Sequence, residues 1–294
     1  MSAALSRLRA AFVAGVALAV LAMPLLMAGT LQAQEPQRIV SIGGAVTEIV
    51  YALGEQDRLV ARDTTSNFPE EVTQLPDIGY IRRLSPEGVL SVNPSLILTE
   101  EGAGPPEAVD LLEAASIEFA EIPEGYDREA VLTKIHRVAE VLGVPEKGEA
   151  LAADVAADLD EAAEIATKEA AGAPRRVLFV LSMLGGRIMA GGTDTAADGI
   201  IRLAGGVNAV TDFEGYKPLS DEAIIAAAPD VILMMARGGD MGVSDEDLFA
   251  QPAILSTPAG ESHSVLRMDG MKMLGFGPRT AEAVVELAHA LAGG

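Results

Sequence analysis

Tyr80 stands in the run Asp77-Ile78-Gly79-Tyr80-Ile81-Arg82-Arg83-Leu84-Ser85-Pro86-Glu87, a phenol between a glycine and two arginines just ahead of a helix start. A nearby guanidinium favours the ionised form of a phenol. A phenolate is an anionic oxygen ligand that suits ferric iron, haem iron included. Competitors for such a role are few, because the chain has no cysteine and three scattered histidines. A zinc-type site needs clustered ligands, which His136, His263 and His289 do not supply. His136 falls at helical spacing with Ile135 and Val138, and His289 lies in the last helical segment, so packing or surface exposure accounts for both. His263, in a short polar loop, stays open.

Other stretches resemble reactive motifs only in part. Ala190-Gly191-Gly192-Thr193-Asp194-Thr195 lacks the Lys-Ser/Thr ending of a phosphate-cradling loop and reads as a loop with a helix cap. Gly43-Gly44 is no dinucleotide fingerprint, and Ser182 has no nucleophile-elbow turn around it. An exported α/β hydrolase, the reading from another functional class, therefore lacks a credible nucleophile and base. Arg237, in a glycine-rich run after a strand, and Tyr216-Lys217-Pro218 are candidates to face a cleft, on position alone.

Positioning these residues falls to a chain that begins with a targeting segment. Arg7 and Arg9 precede an apolar run from about Ala10 to Gly29, and cleavage is expected after Ala33, which makes residues 1–33 a secretory signal peptide. Leu31 fits the small-x-small cleavage rule poorly, and the apolar run is long enough to span a bilayer, so an uncleaved anchor, as in a membrane-tethered sensor, is the competing reading. Without a cysteine there is nothing to acylate. The formal net charge is −22, and removing the leader strips two arginines and no acids. Such a chain repels nucleic acid and anionic membrane. The absence of cysteine excludes a disulfide framework and thiol catalysis.

From Gln37 strands alternate with helices. Short apolar runs at Arg38–Ile42, Leu59–Arg62, Ser95–Thr99 and Ile117–Ile122 read as strands, with helices opened by Ser85-Pro86-Glu87 and Pro105-Pro106-Glu107 between them. Asp127 to Leu142 reads as an amphipathic helix stopped by Gly143. Residues 145–171, rich in Ala, Glu, Asp and Leu, read as a single helix of about 38 Å at the standard rise. Alternation then restarts with strands at Arg176–Ser182, Ile188–Ala190, Asp230–Met235 and Val265–Met268 and a last helix from Pro278 to Ala292. The expectation is an α/β protein: a first lobe at 37–144, an interdomain helix at 145–171 and a second lobe at 175–294, with a ligand cleft between the lobes. An internal echo supports two similar lobes. Ser85-Pro86-Glu87 leads to Pro94 and the strand Leu96-Ile97-Leu98, as Ser220-Asp221-Glu222 leads to Pro229 and Val231-Ile232-Leu233, with nine residues from Ser to Pro in each.

Arg38-Ile39-Val40-Ser41, the Ser-Pro-Glu helix with Asn93-Pro94-Ser95-Leu96-Ile97, the long helix and Ala228-Pro229-Asp230-Val231-Ile232 resemble the substrate-binding proteins of bacterial ABC importers for iron-siderophores, haem and cobalamin. The segment Gly79–Gly88, with Leu274-Gly275-Phe276-Gly277-Pro278-Arg279-Thr280, is most similar to the periplasmic haem-binding proteins of that class. The resemblance implies that Tyr80 coordinates haem iron and that Arg82 stabilises the phenolate or pairs with a propionate; Arg83 is an open case. It implies a haem ligand delivered to an inner-membrane permease and ATPase, an outer-membrane haem receptor upstream, no enzymatic activity and small hinge motion. Some relatives add a histidine from the loop after the first strand of the second lobe. That loop here is Ser182-Met183-Leu184-Gly185-Gly186-Arg187-Ile188-Met189, so Tyr80 acts alone or Met183 or Met189 approaches, packing being the competing role of each methionine. One glutamate per lobe, Glu107 and Glu222, would dock the permease, with Glu100 and Glu101 as first-lobe alternatives; favourable placement at a helix start also accounts for an acid there. An iron-siderophore or cobalamin carrier of the same fold is the alternative.

Overall fold

The computed structural model describes residues 37–170, 172–236 and 243–293. The leader at 1–33 and Arg237 lie outside the described residues. Residues 37–144 build a parallel sheet in the order β2-β1-β3-β4, from β1 (Ile39–Ile42), β2 (Leu59–Arg62), β3 (Leu96–Glu100) and β4 (Glu118–Ile122). All four β1 residues are buried, as expected where helices cover both faces of a parallel sheet. The helices are α1 (Gly44–Ala52), α2 (Pro86–Leu90), α3 (Pro106–Glu113) and α4 (Arg128–Leu142). Asp127 caps α4 by accepting from the Ala130 amide, and Gly143 ends it in the left-handed conformation.

The long helix α5 runs from Pro145 to Glu169. Its buried residues, Ala152, Val155, Leu159, Ala162 and Ala166, recur every three or four positions and are mostly small. That stripe lets α5 lie close between α4 and the last helix α12 (Thr280–Ala292). A Cβ on Gly148 would come within 2.3 Å of the Ala139 Cβ, so the approach of α4 and α5 needs glycine there.

The second sheet runs β10-β9-β5-β6-β8, from β5 (Arg176–Leu184), β6 (Arg187–Gly191), β8 (Tyr216–Pro218), β9 (Val231–Ala236) and β10 (Val265–Asp269), with β7 (Val207–Asn208) pairing β5. β5, β9 and β10 are parallel, whereas β6 and β8 are antiparallel additions. The helices are α6 (Ala196–Leu203), α7 (Asp221–Ala227), α8 (Asp245–Phe249), α9 (Pro252–Leu255), α10 (Pro258–Ser262) and α11 (Gly270–Leu274). The strand β5 extends to Leu184, two residues past its expected end, because the Gly185-Gly186 turn folds β6 back onto it. β7, β8, α10 and α11 are not expected from sequence. Each is five residues or fewer, and β8 is a strand only because β6 offers it an edge.

Candidate functional site

The first-lobe candidates all emerge beyond the carboxyl ends of parallel strands, where ligands bind in open α/β sheets. For Tyr80 this follows from backbone pairing. The Ile78 amide donates to the Arg62 carbonyl, and the Thr64 amide donates to the Gly79 carbonyl at 2.9 Å. Residues 77–79 therefore run alongside β2 and past its end. The Asp77 carboxylate accepts from Arg62 at 2.8 Å, from the Thr64 hydroxyl at 3.2 Å and from the Gly79 amide at 2.8 Å. Gly79 has φ +102°, a conformation other residues rarely adopt, and it turns the chain so that buried Ile78 and Ile81 point inward while Tyr80 points out. Tyr80 is 47% exposed, and among the described residues its hydroxyl has no hydrogen-bond partner.

A buried carboxylate holds the neighbouring loop. Asp63 accepts from the Gly43 amide at 3.0 Å, from the Thr65 amide and hydroxyl, and from the Ser66 hydroxyl. Ser41, Thr47 and Ser66 continue this as a chain of buried hydroxyls. The result is a stiff platform beside Tyr80 made of short polar groups.

Arg82 reaches the loop that follows β3. Its guanidinium donates to the Gly102 carbonyl and lies 3.9 Å from Glu124. Arg83 is exposed. Burial, then the charge of Glu100, hold the Glu124 carboxyl above its usual range, with Tyr126 and Arg82 opposing. Tyr126 packs edge-on against Phe276 of the second lobe, with ring centroids 5.5 Å apart. Burial and the adjacent Glu124 push its phenol well above the usual value. Tyr216 comes from β8 and meets Phe179 edge-on at 6.2 Å. Burial raises its phenol too, against the lowering effect of Ala197 and Thr195. A groove of about 530 Å³ opens here, bounded by Gly102, Glu124 and Tyr126 on one lobe and Asp194 and Arg202 on the other.

Two sets of polar contacts tie the lobes together. Lys134, fully buried in α4, donates to Glu100 and to the Gly275 carbonyl across the interface at 3.2 Å. Glu48 of α1 accepts two hydrogen bonds from Arg279, one at 2.9 Å, and the Arg279 guanidinium stacks 3.7 Å from the centre of the Phe68 ring. Burial raises the Glu48 carboxyl, and Arg279 opposes the rise. The Leu274–Thr280 segment thus ties the lobes together. Glu124, Tyr126, Phe68, Glu48 and Lys134 were not singled out from sequence. Lys134 had a legible signal: it occupies the apolar stripe of α4 with Val131, Ile135 and Val138.

The remaining candidates are dispersed. Met183 packs against the outer core of the second lobe, which accounts for it by packing. Met189 is half-buried in β6, opposite Ser182 and Pro218. Glu107 and Glu222 are exposed in the first turns of α3 and α7, on opposite lobes. Glu222 has its carboxyl lowered by its own amide and by Ser220. Glu87 occupies in α2 the position that Glu222 has in α7, two residues after the capping serine. Glu100 is engaged by Lys134, and Glu101 accepts from the Glu124 amide. Among the described residues no group of three or more His, Asp or Glu side chains is placed to hold a metal ion.

The structure is similar to that of RhuT, a periplasmic heme-binding protein from Roseiflexus sp. RS-1, at 39% identity over 87% of this chain and 98% of that one, with a TM-score of 0.82. In sequence, the chain is 27% identical over 260 residues to the "Uncharacterized ABC transporter substrate-binding lipoprotein YvrC" of Bacillus subtilis (strain 168), covering 88% of this chain and 81% of the relative. It is 27% identical over 207 residues to the vitamin B12-binding protein of Yersinia pestis (strain Pestoides F), covering 70% and 71%. The family model described as periplasmic binding protein matches residues 39–270. Two α/β lobes tied through a long helix, a cleft at their strand ends and a family match over most of its length place this chain in the periplasmic binding protein family.

Proposed function

We propose that this protein binds haem in the cleft between its lobes and hands it to the permease of an ABC importer. The observation that carries the ligand is the similarity to a heme-binding protein over almost the whole of that protein's length, at higher identity and coverage than to the vitamin B12-binding relative. Tyr80 is the proposed iron ligand. A phenol that is exposed, held on a stiff turn and free of hydrogen-bond partners among the described residues is ready to bind a metal centre from outside. Arg82, anchored at Gly102 on the same rim, can meet a propionate or offset the phenolate charge. Tyr216 contributes an apolar ring edge from the second lobe, and Arg83, Met189 and Arg237 are lesser candidates for support.

The work done is capture, not catalysis. Export by the leader at 1–33 places the protein in the periplasm, and an outer-membrane haem receptor would supply it. Glu222 docks the permease from the second lobe, with Glu107 or its neighbour Glu87 from the first. Haem titration followed by absorbance, on the mature protein and on Tyr80→Phe, tests the reading. A saturable high-spin ferric-tyrosinate spectrum that is lost in the variant is expected. Tight binding that survives the substitution moves the ligand elsewhere. No haem binding, with tight cobalamin or ferric-siderophore binding in a parallel titration, overturns the haem reading.

A further inference from the structure

We propose that each lobe offers the permease a paired contact, a carboxylate beside an aliphatic knob: Glu87 with Leu90 on the first lobe, and Glu222 with Ile225 on the second. This rests on the docking reading above and specifies the partner's chemistry, namely two places where a cation stands next to an apolar pocket.

α2 and α7 repeat one register. α2 and α7 are each capped by a serine, Ser85 and Ser220, whose hydroxyl accepts from the amide three residues on at 3.3 Å. Two residues after each cap comes an exposed glutamate; four after comes a buried aliphatic, Val89 or Ile224. Five after comes an exposed aliphatic, Leu90 at 36% and Ile225 at 47%. Glutamate and knob are three residues apart and so share a helix face. Val89 and Ile224 already satisfy the packing of each helix on its sheet, so packing does not require a second aliphatic beside them in either lobe. One exposed leucine needs no explanation. The same exposure at the same register in both lobes does.

The surroundings extend the pattern. Leu111, 62% exposed, lies on α3, which packs against α2; Leu255, 44% exposed, lies on α9, which packs against α7. None of these four helices carries a lysine or arginine, and α2, α3 and α7 carry Glu87, Glu107, Asp110, Glu113, Asp221 and Glu222. Charge complementarity therefore selects a basic partner. It disfavours a second copy of this acidic chain, whose own tips would repel, and disfavours anionic lipid.

The test uses the full mature protein loaded with haem and the haem permease–ATPase complex from the same cells, reconstituted in nanodiscs. Capture on an immobilised complex and stimulation of ATP hydrolysis are measured at low and high salt. The double variant Leu90→Ser/Ile225→Ser is expected to weaken capture about tenfold at both salt levels, since apolar burial is not screened. Glu87→Gln/Glu222→Gln is expected to weaken it chiefly at low salt. Unchanged haem spectra in both variants exclude misfolding as the cause. Wild-type capture by the serine variant overturns the inference while leaving the docking reading in place. No capture of the wild-type protein overturns both, with haem binding unaffected. Loss of self-association in the serine variant, seen by sedimentation of the protein alone, assigns the faces to a homodimer and also overturns it.

Discussion

Two regions of the cleft handle polar groups in opposite ways. At the Tyr80 turn, the polar atoms that fix the backbone sit behind the chain, and the reactive group is left bare. At Lys134, which pairs with Glu100 and reaches the Gly275 carbonyl of the second lobe, and at the Glu48–Arg279 tie, the polar groups are spent on partners, Lys134 and Glu48 are buried, and the lobes are joined. The difference separates a group available to a ligand from groups that hold the aperture. It also predicts that the ties, not the tyrosine, carry stability.

The sharpest break of that comparison is Lys134→Ala, which strands Glu100. A loss of about 3–5 kcal/mol is expected in chemical denaturation, because removing one member of a buried pair leaves the other uncompensated. Lys134→Met combined with Glu100→Leu should recover most of it; a double variant as unstable as the single one would show that the pair is not what matters. Arg279→Lys comes next. It keeps the charge but loses the bidentate geometry and the stack on Phe68, so a loss of about 1–3 kcal/mol is expected from the denaturation midpoint. An unchanged midpoint would reduce this tie to an exposed ion pair of no consequence.

Tyr80→Phe should shift stability by no more than about 0.5 kcal/mol, as surface substitutions do, while removing the haem spectrum. A large stability loss would mean that the tyrosine is structural and would blur the two regions into one. The smallest effect concerns Tyr126. Its phenol ionises above the ordinary value of about 10, so the folded state keeps its proton longer than the unfolded chain does. Stability from this source is therefore complete below that pH and is lost as pH rises through the window above it. Tyr126→Phe should flatten the alkaline limb of a stability–pH profile; an unchanged limb would remove Tyr126 from that account.

Most of the parallel core was legible. β2 falls where Leu59–Arg62 places it, α4 and α7 start directly after their caps Asp127 and Ser220, and α5 starts at Pro145. These elements announce themselves because the local pattern and the tertiary role coincide. β8 did not, since three residues ending in proline carry no periodicity and become a strand only beside β6. Within the site, Tyr80 stood out by its neighbours in the chain. Glu124 and Tyr126 did not, because what sets them apart, their burial and the charge of Glu100 on Glu124, comes from parts of the chain distant in sequence.

Arg82 shows where the boundary falls. Its closeness to Tyr80 in the chain points to a phenolate or a propionate partner; what the chain order does not show is that its guanidinium is held by Gly102 and Glu124. Short-range spacing and residue type suffice to read the alternation of strands and helices, the spanning helix and the conspicuous Tyr80 off the chain. Which charges face one another across the lobes, and which groups stay exposed, emerge when distant segments pack. Those pairings join residues such as Glu48 and Arg279, 231 positions apart, and burial that depends on both lobes has no signature in either one alone.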